Sequence, residues 1–286
     1  MKIIRYFIQF IFIVFLFLLF KILGHKLSIF LSSKLFELIG PSFRSKKTIS
    51  SNLKLAIKDI NEDRINKFTK NMWGTYGKIF AEYMYIKNFR NGNLQNNIEI
   101  QGLEILKEIE KNKTPVVFVS GHFDNFELMA MQIEKSGIKL SAIYRPLNNI
   151  FLNKIMENIR QRHICKNQIK KGTRGLRDLL KLYKQGYSTA LMIDQRVSEG
   201  VKVSFFEKEA LTTSIPAQLV KKFKSQIVPI FIERIDDIKF KMIVSDPITF
   251  DKNLSIEEIT LKLNKVLEKM ILSKPHQWIW SHDRWK

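Results

Sequence analysis

A histidine followed five residues later by a glutamate gives this sequence its best candidate for chemistry. Thr114 to Gly137 reads TPVVFVSGHFDNFELMAMQIEKSG. Pro115 to Val119 is an apolar, β-rich run of strand length. Gly121 permits a sharp turn, and Leu128, Met129, Met131 and Ile133 mark a helix that stops at Gly137. His122 falls in the turn and Glu127 in the first helical turn. An imidazole at the end of a strand, with a carboxylate close by, is what proton abstraction from a hydroxyl requires. On one continuous helix five residues turn through about 140°, so the two side chains meet only if His122 is on the loop and Glu127 on the helix. A plainer reading stands beside this one. Asp124-Asn-Phe-Glu127 also fits a capping box with Asp in the usual Ser or Thr place, which would leave Glu127 bonding backbone and His122 an ordinary turn residue.

The elements around this motif alternate. Strands are expected at Ile98–Ile100, Leu140–Tyr144, Ser188–Ile193, Gln226–Ile232 and Phe240–Val244, with His163–Ile169 a further candidate and Val201–Phe206 extended. Helices are expected at Leu103–Lys111, Asn149–Gln161, Thr173–Lys184, from Pro216 onward, and at Ile256–Leu272. This order implies an α/β fold, a single domain with a central, largely parallel sheet flanked by helices. His122, Arg145, Asp194 and Arg234 each follow an apolar strand, and in open α/β sheets ligands bind outside the carboxyl ends of the strands. Arg145 and Arg234 suit a phosphate or a developing oxyanion, or else form ion pairs with Asp194 or Glu233. Asp194 is read as orienting an arginine. Thr212-Thr213-Ser214 precedes a helix and serves as anion site or cap, with Thr213 the candidate contact.

Residues 3–23, IIRYFIQFIFIVFLFLLFKIL, are the membrane element. At ~1.5 Å per residue they reach roughly 30 Å, one hydrocarbon core, and Arg5 and Lys21 near the ends can snorkel. Lys2 and Arg5 also fit a signal-peptide n-region, but Gly24-His25-Lys26 lacks the small-residue cleavage pattern, so a retained anchor is expected. Residues 27–40 carry an apolar stripe suited to the membrane interface or to packing on the body. In residues 71–87, Trp73, Tyr76, Phe80, Tyr83 and Met84 read as a helix face turned to the core. The expected division is an anchor over 1–26, a helical membrane-proximal region over 27–95 and an α/β core over 96–286.

The 286 residues are 45% apolar, enough for a core of this size, and carry a net charge of +21. That charge suits an anionic membrane or an acidic protein. The basic residues are spread without a block of five, and no zinc-finger, RNA-recognition or helix-turn-helix pattern is present, so no nucleic-acid partner is expected. Cys165 is the single cysteine and fits a reducing compartment. With no CxxC and no HExxH, neither a metal nor another cofactor is expected. No Gly-x-Ser-x-Gly nucleophile elbow is present either.

GHFDNFE at 121–127, YRPLNN at 144–149, IDQR at 193–196, FFEKEALTT at 205–213, PIFIER at 229–234 and HQWIWSHDRWK at 276–286 resemble the successive blocks of the bacterial lipid A biosynthesis late acyltransferases. These are the lauroyl/myristoyl transferases of the lysophospholipid acyltransferase superfamily. The resemblance runs from about Ile3 to the C-terminus. It implies a membrane-anchored α/β enzyme at the cytoplasmic face of the inner membrane, single-pass, moving an acyl chain from acyl carrier protein to a hydroxyl of a lipid A precursor. His122 would then be the general base and Glu127 its partner, with Arg145, Asp194, Gln195, Arg234 and Thr213 as substrate contacts. Asn125-Phe126 stand where the family often has a small residue and then Trp. Glu207 stands where a Gly is common. An acyltransferase acting on a glycerophospholipid or aminolipid, and a non-catalytic membrane-tethered lipid-binding protein, are the alternatives.

Overall fold

Five helices precede the sheet. In the computed structural model, which describes residues 1–286, α1 (Lys2–Leu23) and α2 (His25–Ile39) meet at Gly24 and are followed by α3 (Lys46–Ala56), α4 (Glu62–Glu82) and α5 (Ile86–Asn91). The alternating part runs β1 (Ile98–Gln101), α6 (Leu103–Asn112), β2 (Val117–Ser120), α7 (Glu127–Lys135), β3 (Leu140–Tyr144), α8 (Ile150–His163), β4 (Asn167–Lys170), α9 (Thr173–Lys184) and β5 (Ser188–Met192). It ends with β6 (Val201–Phe205), β7 (Lys208–Thr212), α10 (Ile215–Phe223), β8 (Ile227–Arg234), β9 (Phe240–Val244) and α11 (Ile256–Ser273).

The sheet order is β1-β9-β8-β2-β5-β3-β4. Every neighbouring pair is parallel except β8 and β9, which run antiparallel through Ile230–Val244 and Arg234–Phe240. β2 sits in the middle and all four of its residues are buried, which is why its sequence does not alternate: three apolar residues in a row are closed by a buried Ser120. Because β2, β3, β5 and β8 point the same way, the residues that follow them, or in the case of Arg234 end them, share one edge. The helical N-terminal third shares the core of the sheet: Ile49, Leu53, Ile65, Met72 and Trp73 belong to the same buried cluster as Phe118, Val119 and Ile230.

Two local features differ from the sequence expectation. Val201–Phe206 is half of a β-hairpin whose second strand, β7, carries no turn signal. Phe206 and Glu207 take φ of 52° and 62°, the left-handed pair of a two-residue hairpin turn, without the usual Asn-Gly. The second difference is at Asp124. It does not cap α7, which begins three residues later at Glu127. Its N–H donates to Gln277 O at 3.0 Å, and its carboxylate accepts from Arg234. The capping-box reading therefore fails, because neither acid serves the helix backbone.

α2 and α4 approach closely through small residues. A Cβ on Gly77 would lie 2.2 Å from Ser32 O, and Ser28, Ser32 and Ser33 are buried in the same seam. α1 docks along most of its length. Tyr6, Phe10, Ile13, Phe17 and Phe20 form one stripe at helical spacing that turns inward. Asn149 Nδ2 donates to Tyr6 O at 2.8 Å, and the Phe10 and Phe151 rings sit 5.7 Å apart. Further along, Phe17 packs on Phe80 at 5.0 Å and Tyr85 Oη donates to Phe20 O at 2.5 Å.

Candidate active site

His122 leaves the carboxyl end of β2 with its side chain already committed on one side. Nδ1 lies 2.7 Å from Asp194 Oδ1, and the backbone N–H of His122 donates to Asp194 Oδ2 at 2.8 Å. Trp278 Nε1 donates to the same Oδ2 at 2.9 Å. Asp194 follows β5, the strand beside β2, so parallel register places the two turns side by side. A buried carboxylate can only accept, so Nδ1 carries the proton and Nε2 is left as the uncommitted, basic nitrogen.

The electrostatics agree with that assignment. Burial pushes the His122 imidazole down, but the charge and hydrogen bond of Asp194 outweigh it, and the histidine is held above its ordinary value. Burial likewise works against the Asp194 carboxylate, yet His122 and the Trp278 N–H keep it below the usual range. His122 lines a small, largely apolar cleft of about 30 Å³ together with Met72, Tyr76, Ile79, Phe126 and Trp278. The Phe126 ring meets the imidazole edge-on at 4.7 Å. An ordered base in a partly closed apolar cleft is suited to taking a proton from an alcohol carried by a lipid.

Glu127 is not the hydrogen-bond partner of His122; this corrects the expected pairing. Its Oε1 accepts from Arg160 Nε at 2.9 Å, from Arg160 Nη2, and from the Tyr83 hydroxyl. A guanidinium on the next helix, α8, takes the carboxylate, because a pair with both partners ionised is stronger than a bond from a neutral imidazole. Burial alone would depress Arg160, but Glu127 holds it firmly protonated. Burial, reinforced by Glu127, raises the Tyr83 hydroxyl well above its ordinary value and keeps it neutral. Arg160 Nη1 has no protein partner and remains free for a ligand.

Arg234 reaches the same edge of the sheet but has nothing left to offer a substrate. Its five N–H groups go to Glu82 Oε1 and Oε2, Asp124 Oδ1 and Oδ2, and Asp237 O. It is therefore a buried ion pair with Glu82 and Asp124, not with Asp194 or Glu233. Glu82 is pushed up by burial, but Arg234 brings it down to about 2. Asp194, expected to orient an arginine or touch substrate, orients His122. Thr213 Oγ1 accepts from Ile215 N at 3.4 Å in the turn before α10, whose N-cap residue, Ser214, makes no side-chain cap bond. Arg145 is exposed after β3, and Gln195 is half-buried beside Asp194.

Arg160, Tyr83 and Trp278 complete the site and were not among the candidates. Arg160 lies in α8 within NIRQRH, and Tyr83 follows α4 in an aromatic run. Neither has a local pattern that separates it from a surface cation or a core ring. Trp278 lies in the WIW segment, where packing is the ordinary reading. It does pack, being buried with Trp280, and it also donates the bond to Asp194.

Residues 1–286 match the family model described as bacterial lipid A biosynthesis acyltransferase. The lipid A biosynthesis lauroyltransferase of Escherichia coli (strain K12) is 25% identical over 250 residues, covering 85% of this chain and 79% of that protein. The lipid A biosynthesis myristoyltransferase of the same organism is 22% identical over 246 residues, covering 85% and 75%. Among solved structures, the 1-acyl-sn-glycerophosphate acyltransferase of Thermotoga maritima aligns with a TM-score of 0.42 at 14% identity, covering 90% of this chain and 100% of that one.

Proposed function

Because the chain belongs to the bacterial lipid A biosynthesis acyltransferase family, we propose that it transfers a fatty acyl chain from the thioester of acyl carrier protein to a hydroxyl of a lipid A precursor. The reaction is placed at the cytoplasmic face of the inner membrane, in keeping with the membrane lipids its relatives are named for and with the single long apolar helix. The observation that carries the mechanism is the 2.7 Å contact between Asp194 and His122 at the mouth of an apolar cleft.

In this reading Nε2 of His122 accepts the proton of the acceptor hydroxyl as its oxygen bonds to the thioester carbonyl carbon. The tetrahedral oxyanion collapses, the carbon–sulfur bond breaks, and the departing thiolate takes the proton back from the imidazolium. Asp194 fixes the ring and steadies the transient cation, as the acid of a Ser-His-Asp triad does. No residue of the chain is acylated. Base catalysis supplies roughly 10²–10⁴-fold, and positioning and oxyanion contacts supply the rest. Arg160, with one uncommitted nitrogen beside Glu127, is the cation we assign to the developing charge. Arg145 lies two strand spacings from β2, about 10 Å, and is assigned to an acidic group of the acceptor, with Gln195 between them.

The test is transfer of a labelled acyl group from acyl carrier protein to a lipid A precursor by membranes containing the protein. Membranes with His122→Ala should lose the labelled product. Equal product from the variant would overturn the base assignment, and no product from the unaltered protein would overturn the substrates.

A further inference from the structure

We infer that the outer face of α9 is the docking surface for an acidic protein that delivers the acyl thioester; the inference rests on the donor proposed above and gives it a place. From Thr173 to Lys184 the helix reads TRGLRDLLKLYK, with Gly175, Leu179 and Tyr183 as its buried line. At ~100° per residue, Arg174, Arg177, Lys181 and Lys184 fall within an arc of about 80° on the opposite side. All four are exposed, and none makes an ion pair or a side-chain hydrogen bond. Asp178, beside the stripe, is the helix's single acid. Other basic helices of this chain are matched internally. Lys265 of α11 pairs with Glu268 at 2.9 Å, and Lys54 of α3 with Glu62 at 2.7 Å. α6 interleaves Lys107 and Lys111 with Glu104, Glu108 and Glu110. Like charges one helical turn apart repel, so the α9 stripe costs the isolated protein stability and gains nothing from its own fold. A negatively charged partner removes that cost.

The topology places the stripe and selects the partner. β4 is parallel to β3, so α9 starts at the carboxyl edge of the sheet, the edge that holds His122. β4 lies three strand spacings from β2, ~14 Å. A thioester on an extended arm can cross that distance, past the turns after β3 and β5, while the acidic body stays on α9. The chain steps outward from β3 to β4 through α8 and back from β4 to β5 through α9. Right-handed connections in opposite directions put the two helices on opposite faces of the sheet. The apolar helix α1 packs against α8, through Phe10 on Phe151 and Asn149 on Tyr6. The cationic stripe therefore lies on the face away from α1, where an acidic protein in solution meets it more readily than anionic headgroups do.

The test uses the full chain in detergent, with the same acyl group presented on acyl carrier protein or on pantetheine alone. Arg174→Glu/Arg177→Glu is compared with Lys107→Glu/Lys111→Glu on α6, which changes net charge equally. Acidic residues near the start of α9 suit the helix dipole, and thermal unfolding checks that both variants are folded. KM for the carrier thioester should rise about tenfold in the α9 variant, with its kcat and its rate on the pantetheine thioester kept, while the α6 variant matches the unaltered protein. Added salt should raise the unaltered protein's KM towards that of the α9 variant and leave the variant nearly unmoved. An unchanged KM for the carrier thioester in the α9 variant overturns the docking surface. So does an equal loss with both thioesters, which marks a damaged site rather than lost docking. A variant that keeps its KM in detergent but no longer binds vesicles of anionic phospholipid assigns the stripe to a membrane and overturns the proposal as well. An unaltered protein that uses both thioesters equally well overturns the donor reading itself, and the docking surface with it.

Discussion

Asp194 controls His122 from 72 residues away, and its replacement is the sharpest probe of the site. Asp194→Asn keeps the shape but offers an amide where a carboxylate held the Nδ1 proton. The wrong tautomer is then favoured, and kcat should fall by about 10³–10⁴-fold with little change in KM. The pH dependence follows from the same contact. The base must be neutral to act, and burial, which lowers its pKa, is outweighed by Asp194, which raises it. Activity should therefore rise with pH along an acid limb centred above the ordinary imidazole value of about 6.5. Trp278→Phe removes one donor from Asp194 and leaves that carboxylate more basic. The imidazolium is then favoured further, and the acid limb should move to still higher pH. An unmoved limb would mean that the indole N–H is only packing. At this scale the sequence displayed the histidine proposed as base but not the carboxylate that touches it. His122 and Glu127 are neighbours along the chain, whereas Asp194 and Arg160 arrive through sheet register and helix packing, which no local spacing records.

Among the elements, two glycine-related positions carry the clearest consequences. Gly77→Ala places a methyl 2.2 Å from the Ser32 carbonyl, so α2 and α4 must separate. Overpacking of this kind costs about 1–3 kcal/mol, and thermal unfolding should show it as a lowered Tm. The hairpin gives the opposite case. Glu207 holds φ at 62° on an exposed turn. Glu207→Gly removes a steric cost of about 1 kcal/mol, part of which returns as unfolded-chain entropy, so Tm should rise slightly. The strands and helices of the α/β part were legible because their periodicities are strong: Leu140–Tyr144 and Thr173–Lys184 match the expected bounds. β7 was not, because a turn made by Phe-Glu has no sequence signature of its own. The start of α7 was misplaced because Asp124 obeys Arg234, 110 residues later, rather than the helix that follows it.

Over the whole molecule, Arg234 is the tie. It joins the end of α4 through Glu82, the turn that follows His122 through Asp124 and the β8–β9 loop through Asp237. Arg234→Met would leave two buried carboxylates without their counter-ion, a loss of about 3–5 kcal/mol read by denaturant unfolding. Activity should fall with it, since the turn that carries His122 shares the same anchor. The docked helix at the N-terminus has a further, practical consequence. Trimming the protein back to Gly24 to obtain a water-soluble enzyme would uncover Phe80, Tyr85 and Phe151, the rings that α1 now shelters. Such a shortened enzyme exchanges one greasy surface for another and should still clump in buffer without detergent.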